Sequence, residues 1–437
     1  MSATGKVRRS VGAARPLVIT VDRLAAGGDG VGRIGAKVAF IPRTAPGDEV
    51  EIEIGEERRT WCRARVLRLV SPGPDRTAPG CPHFGACGGC DWQHLAYPAQ
   101  LAAKRSIVED ALRRIGRLDP PPIAPTLPSP LAFGYRHRAR LHTARRAGLA
   151  TFGFFRAGSH DVVALETCPV LHPALNETLG ALAAAGRRLP AAFAPGHEVR
   201  IDTGWDGASV RLLLRGDRGE PVTFPAAAAR SVRDAVAARG ISLMIDGGGE
   251  PLALGPGPDA LVTTGETFTQ INLAQNQALV ALALALASPA AGEAVLDLCC
   301  GLGNLALPAA ARGGEVTGVD LDDQAIFQAR DNARRLGRAA CFVHGDAGAA
   351  VRAFAAAGRR FPLVLLNPPR AGAREAVAAI PALTPTRVLV VSSDPATLAR
   401  DAATLAAAGY ILQTARPVDL FPQTAHVETV ALFRRAP

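Results

Sequence analysis

The sequence predicts a multidomain α/β protein: a small N-terminal β-barrel of the OB type, a central α+β domain that carries cysteines, and a C-terminal doubly wound α/β domain. Three observations predict it. Short alternating apolar segments separated by glycine turns fill residues 17–70, three cysteines crowd residues 81–90, and from about residue 266 strand-like segments alternate with Ala-rich helical ones. A chain of 437 residues has room for about three domains. Its 48% hydrophobic and 20% charged content is that of a globular protein with buried cores.

The net charge of +10 and a pI of about 9.7 suit a polyanionic partner, because released counterions drive such binding. Nearly all of that charge is Arg, with Lys only at positions 6, 37 and 104; GC-rich coding produces the same bias. No apolar stretch reaches the roughly 18 residues needed to cross a bilayer, so no membrane association is expected. The longest candidate, Ala278–Ala287, stops at Ser288-Pro289. Residues 1–16 lack the apolar core of a secretory signal and carry no acid. A cytoplasmic location is expected, with residues 1–15 as a basic disordered arm; an organellar transit peptide is the other reading.

Residues 16–74 make the barrel. "LVITV", "KVAFIP", "VEIEI" and "CRARVLRLV" are its strands, with Val50, Ile52 and Ile54 on one face and acids on the other. "SPGPDRTAPG" (71–80) is a linker. Residues 75–265 form the central domain, including a helix at Gln100–Ile115, and residues 266–437 the doubly wound domain.

In that last domain "AVLDLCCGLGNLALPAAA" (294–311) runs a strand through Gly301, Gly303 and Asn304 into a helix. The glycines let a ligand approach the backbone at the carboxyl edge of the sheet. "EVTGVD" ends a second strand at Asp320, an acid placed to accept the ribose hydroxyls of a nucleoside-bearing cofactor. "CFVHGDA" ends a third at Asp346 and "FPLVLLNPPRAG" a fourth at Asn367. Polar residues at four strand ends in this order point to S-adenosylmethionine; a nicotinamide-binding sheet or a merely structural one is the alternative.

"CPHFGACGGC" places Cys81, Cys87 and Cys90 at C-x5-C-x2-C spacing. Thiolates this close, with Gly88 and Gly89 freeing the backbone to wrap, suit an iron-sulfur cluster better than a disulfide in a cytoplasmic chain. Cys168, followed by Pro as in the first motif, is the candidate fourth ligand. A structural four-cysteine zinc site competes, since spacing alone does not name the metal. Cys62, Cys299, Cys300 and Cys341 lie in strand-like stretches and read as small buried hydrophobes.

Together with "GYRHRARLH", "FTQINLAQNQ", "SSDPATLARD" and "FPQTAHVE", these segments resemble the bacterial RNA (uracil-5-)-methyltransferases with an N-terminal TRAM domain, of the 23S rRNA type. The resemblance covers nearly the whole chain in order. It implies a Rossmann-like class I methyltransferase domain and a [4Fe-4S] cluster on Cys81, Cys87, Cys90 and Cys168. It implies cofactor contacts from Gln270, Cys299, Asn304, Asp320, Asp346 and Asn367, and Glu428 as general base. A monomer acting on RNA is expected, ribosomal rather than transfer RNA because the TRAM barrel is present. Tyr135, Arg136 and Arg138 would stack on and neutralise that RNA, the alternative being an exposed strand face with no partner.

In the family the residue at position 393 is Cys; here it is Ser. Asn367 likewise stands where the family has Asp, and Cys299 where it often has Phe. C5 of uracil is a poor nucleophile. A thiolate added to C6 makes C5 enolate-like, able to take a methyl group, after which a carboxylate removes the C5 proton. A serine hydroxyl needs a strong adjacent base, and "SSDPATL" offers only Asp394, better placed to cap the helix ahead of Pro395. The expected function is S-adenosylmethionine-dependent methylation of uracil C5 in RNA, in a site whose competence Ser393 and Asn367 leave open. Other readings are a nucleophile taken from Cys300 or Cys299, an RNA-binding pseudoenzyme, amine-directed transfer at "NPP", and a helix-start serine without chemistry. Arg370 counts against the amine reading, because an aromatic residue usually follows that motif.

Overall fold

The computed structural model describes residues 17–246, 250–265 and 267–437, so the expected arm at residues 1–15 lies outside the described residues. Strands β1 (Leu17–Leu24), β2 (Gly30–Ile34), β3 (Lys37–Ile41), β4 (Glu49–Glu57) and β5 (Trp61–Ser71) close into a barrel in the order β1-β2-β3-β5-β4. Alternation drives the closure. Val50 and Ile52 turn inward to meet Val21, Ile41 and Cys62, while Arg63, Arg65 and Arg68 stand outward and pair with Asp29, Glu53 and Glu51. Nine basic and eight acidic residues between Leu17 and Ser71 nearly cancel, so the positive excess of the chain lies outside the barrel.

Helix α1 (Tyr97–Arg114) starts with Pro98 in its first turn and buries Lys104, Ile107, Val108 and Leu112 at helical spacing. Its Val108 and Leu112 enter the core of the C-terminal sheet. The stretch Gln100–Ile115, expected in the central domain, therefore packs with the C-terminal one.

The central sheet contains β6 (Arg138–Arg146), β7 (Leu149–Phe155), β8 (Val162–Ala164), β9 (Glu198–Thr203), β10 (Ser209–Arg215) and β11 (Pro221–Val222), ordered β11-β10-β9-β6-β7-β8. Strand β12 (Ser242–Ile245) adds parallel to β10. Helices α2 (Pro173–Arg188) and α3 (Ala226–Ala237) share its core, where Leu175, Leu179, Val232 and Val236 join Leu141, Val199 and Ile201. A short ribbon of β13 (Leu252–Ala253) and β14 (Val262–Thr263) leads onward.

Beyond it run α4 (Leu273–Ala287), β15 (Ala294–Leu298), α5 (Ala306–Ala311), β16 (Glu315–Asp320), α6 (Asp323–Arg335), β17 (Ala340–His344), α7 (Ala347–Ala356), β18 (Leu363–Leu366), α8 (Arg374–Ala379), β19 (Arg387–Ser392), α9 (Pro395–Ala407), β20 (Tyr410–Val418) and β21 (Glu428–Arg435). The sheet order is β17-β16-β15-β18-β19-β21-β20, parallel except for β21 and its two pairings. Leu363–Leu366 and Val388–Val391 are buried throughout, as strands covered on both faces require. The order reverses between β15 and β18, which places a ligand crevice at the carboxyl ends there. No described helix is long and apolar enough to cross a membrane.

The three parts meet around residues 91–104. Trp92 Nε1 donates to Gly28 O of the barrel at 3.0 Å, and the backbone amides of Asp91 and Trp92 donate to Gln423 O at 3.1 and 3.0 Å. Fully buried Lys104 pairs with fully buried Asp419.

Candidate active site

A cleft of about 800 Å³ opens at that carboxyl edge. After β15, Cys299 turns out of the sheet at φ 58°, a left-handed conformation that residues with side chains adopt mainly at functional turns. The Gly301 N–H then donates to Asp320 Oδ2 at 2.8 Å, tying the glycine loop to the end of β16, and Asp320 Oδ1 accepts from Asp322 N at 2.9 Å. Each carboxylate oxygen retains a second acceptor position for a ligand hydroxyl. A Cβ built on Gly301 would meet nothing within 4 Å, so the loop is open on its ligand side. Asn304 is locked to Asn276 of α4 by a reciprocal amide pair of 2.9 and 3.0 Å. Asp346 caps α7 by accepting from Ala349 N at 2.8 Å, and Gln270 and Asn367 complete the wall. Gly303 does not reach the cleft: it lies under the loop, where a side chain would come within 2.8 Å of Leu307 Cδ1, so its part is to shape the turn.

Ser393, Arg370, Phe421 and Glu428 form the opposite wall. Asp394 caps α9 as its sequence suggests, accepting from Thr397 N at 2.7 Å. Glu428 opens β21 at 3% exposure, and burial pushes its carboxyl up to about 8, with Arg370 pulling the other way. Burial, reinforced by Asp320 and Asp297, pushes the Cys299 thiol up to about 12. Burial and the same two acids push Cys300 further still, so neither cysteine is a ready thiolate. Cys62 and Cys300 are buried as expected, but Cys341 is exposed because β17 is an edge strand.

Asp297, which the sequence reading passed over, is buried in β15 with neither carboxylate oxygen hydrogen-bonded; burial pushes it up to about 8. The only signal was an acid inside an apolar strand.

The second cavity, about 380 Å³, is lined by Cys81, Cys87, Cys90 and Cys168 together. Gly88 fits because a side chain there would touch Phe155 O at 3.0 Å, and the Gly89 N–H points at Cys87 Sγ at 3.4 Å. Burial and the neighbouring thiols push Cys90 up to about 12 and Cys168 up to about 11, the direction that bound metal would reverse. Among the described residues no three His, Cys, Asp or Glu side chains converge on one ion position; the four sulfurs border a larger space instead.

The residues expected to grip RNA are mostly committed inside. Tyr135 is 2% exposed and its hydroxyl donates to Pro422 O at 2.9 Å, so it cannot stack on a base. Arg138 donates to Thr267 O and Gly265 O at 2.9 and 3.2 Å. This end of β6 faces the seam with the C-terminal domain, where an alternating strand looks the same in sequence as one facing solvent. Arg136 alone of the three lines both cavities.

Residues 16–67 match the TRAM domain and residues 295–379 a family described as a methyltransferase domain. The chain is 37% identical over 434 residues, 96% of each chain, to the 23S rRNA (uracil(1939)-C(5))-methyltransferase RlmD of Edwardsiella ictaluri. It is 36% identical to an uncharacterized RNA methyltransferase of Thermosynechococcus vestitus, covering 95% of this chain and 97% of that one. Its fold matches the Pyrococcus abyssi tRNA (uracil-54, C5)-methyltransferase in complex with S-adenosyl-L-homocysteine at a TM-score of 0.70 and 24% identity, over 95% of this chain and all of the other. A barrel, a glycine loop at a switch point and relatives of this identity over nearly the full length have one explanation: the chain belongs to the RNA uracil-C5 methyltransferase family.

Proposed function

We propose that the chain methylates C5 of a uracil in ribosomal RNA, of the 23S type, in the cytoplasm and as a monomer. The observation that carries this is the single cleft in which Gln270, Gly301, Asn304, Asp320, Asp346 and Asn367 face Ser393 and Glu428. S-adenosylmethionine, bound against the first set, supplies an electrophilic methyl group. Asp320 accepts its ribose hydroxyls while holding the glycine loop, and Asp346 and Gln270 border the remaining space. The target base flips out of its strand into the cleft, where Glu428 removes the C5 proton. Arg136 and Arg370, which line both cavities, neutralise the incoming backbone. Cys81, Cys87, Cys90 and Cys168 hold a [4Fe-4S] cluster that fastens the segment 81–90 to the central sheet.

Mass spectrometry of 23S rRNA nucleosides, with and without the gene, tests the reading: one 5-methyluridine should vanish on deletion and return on complementation. A methylated amine that vanishes instead would support the second reading, which Asn367-Pro368-Pro369 in the cleft wall favours. An unchanged nucleoside profile would leave an RNA-binding pseudoenzyme.

A further inference from the structure

The sequence offers Ser393 no base within its own turn except Asp394, and the structure spends that carboxylate on the α9 cap. The neighbouring Ser392 hydroxyl is engaged too, donating to Asp394 O at 3.1 Å. The strand ladder supplies another acid. β19 and β21 pair antiparallel with Ser392 opposite Thr429, so one further step along the ladder sets Ser393 opposite Glu428. Residues so placed point to the same face with Cβ atoms about 4.5–5.5 Å apart. Both line the cleft, and neither side chain is hydrogen-bonded to another described residue. Nothing else in the cleft is poised to attack: Cys299 and Cys300 are held as thiols by burial and by nearby carboxylates.

We propose that Ser393 Oγ is the covalent nucleophile of this chain and that Glu428, across the β19–β21 ladder, is the base that activates it. The proposal rests on the uracil-C5 reading above and names how that reaction proceeds without the family's cysteine.

The burial that makes Glu428 slow to ionise also makes it a stronger base than an ordinary carboxylate. With its proton affinity pushed up to about 8, it is comparable to the imidazole that activates serine in hydrolases. Glu428 takes the Ser393 proton and releases it to cleft water. The Oγ lone pair forms a bond to C6, and the C5–C6 π pair moves onto C5 and O4 as an enolate. C5 then takes the methyl group of S-adenosylmethionine, whose sulfur keeps the bonding pair. Glu428 next removes the C5 proton, the C–H pair restores the C5–C6 double bond, and the departing Oγ recovers a proton from Glu428. One proton is released overall, and no oxidant or reductant is needed.

The test uses the full-length protein, S-adenosylmethionine and in vitro transcribed 23S rRNA made with 5-fluorouridine, in which no C5 proton can leave and the adduct persists. Wild type should form a covalent complex, and tandem mass spectrometry should place the mass on Ser393 in the tryptic peptide Val388–Arg400. Ser393→Ala should abolish trapping while cofactor binding, measured by calorimetry, is retained. Ser393→Cys should trap faster than wild type. Glu428→Gln should slow trapping by about 10²–10⁴-fold and remove the rise in rate that wild type shows up to about pH 8. Trapping by Ser393→Ala at the wild-type level, or an adduct on the peptide holding Cys299 and Cys300, would overturn the proposal. If unmodified rRNA gains 5-methyluridine but no Ser393 adduct ever forms, this inference falls and the uracil reading stands; if a methylated amine forms instead, both fall.

Discussion

Glu428 carries its proton to a pH at which an ordinary glutamate has long lost it. The sign of the consequence is fixed: its folded-state pKa, about 8, lies above the unfolded value of 4.5, so the folded chain binds more protons between those limits. Stability therefore falls as pH rises from about 4.5 to 8 and levels off above. Glu428→Gln removes that fall. Scanning fluorimetry should show no gain in Tm at pH 4 and a gain of about 2–5 °C at pH 8, in a protein that has lost methylation; a pH-independent difference would contradict the burial of this carboxyl. Asp320 behaves oppositely. Because it serves the ribose and also anchors Gly301, Asp320→Ala should weaken S-adenosylmethionine binding by about 10²-fold in calorimetry, and an unchanged Kd would move the cofactor elsewhere. Gly301, Asn304 and Asp320 were legible in the sequence because a glycine turn after an apolar run has one geometry. Glu428 as the partner of Ser393 was not, since 35 intervening residues hide a ladder register that only the folded sheet creates.

At the scale of elements, the alternation of β4 and the polar ends of β15, β16 and β18 were readable because local pattern determines them. The buried end of β6 was not: Tyr135 and Arg138 alternate like surface residues, but the chain lays that strand against a second domain. Helix α1 was similarly visible as a helix and invisible as a member of the C-terminal core. Its Lys104 explains why a charge can sit in an apolar stripe, with Asp419 opposite, a second bond to Phe421 O at 3.0 Å, and the Trp92 ring 5.9 Å away. Lys104→Met should cost about 3–5 kcal/mol by stranding the Asp419 charge, whereas adding Asp419→Leu should recover most of it. Urea denaturation of the two variants decides this; equal stability of single and double mutants would mean that water already reaches the pair.

For the whole molecule, Trp92 lies two residues past Cys90 and touches both the barrel and the C-terminal segment. The cysteine site therefore lies close to the joint of all three parts. Anaerobically purified protein should be brown with about four irons, and chelation should lower the melting temperature of one shared transition instead of splitting off an early central one. A colourless protein with one tightly bound zinc would replace the cluster with a structural ion. The joint also sets a clock. Lys104 and Asp419 are 315 positions apart, and Gln100 bonds Gln423 across 323. At 5–20 residues per second, α1 leaves the ribosome roughly 15–60 s before its partners exist. During that interval its apolar face has no native cover and its lysine no counter-charge. An enzyme of this family thus spends its own synthesis as a client of whatever shields nascent chains, and its three parts become one body only when the last two strands arrive.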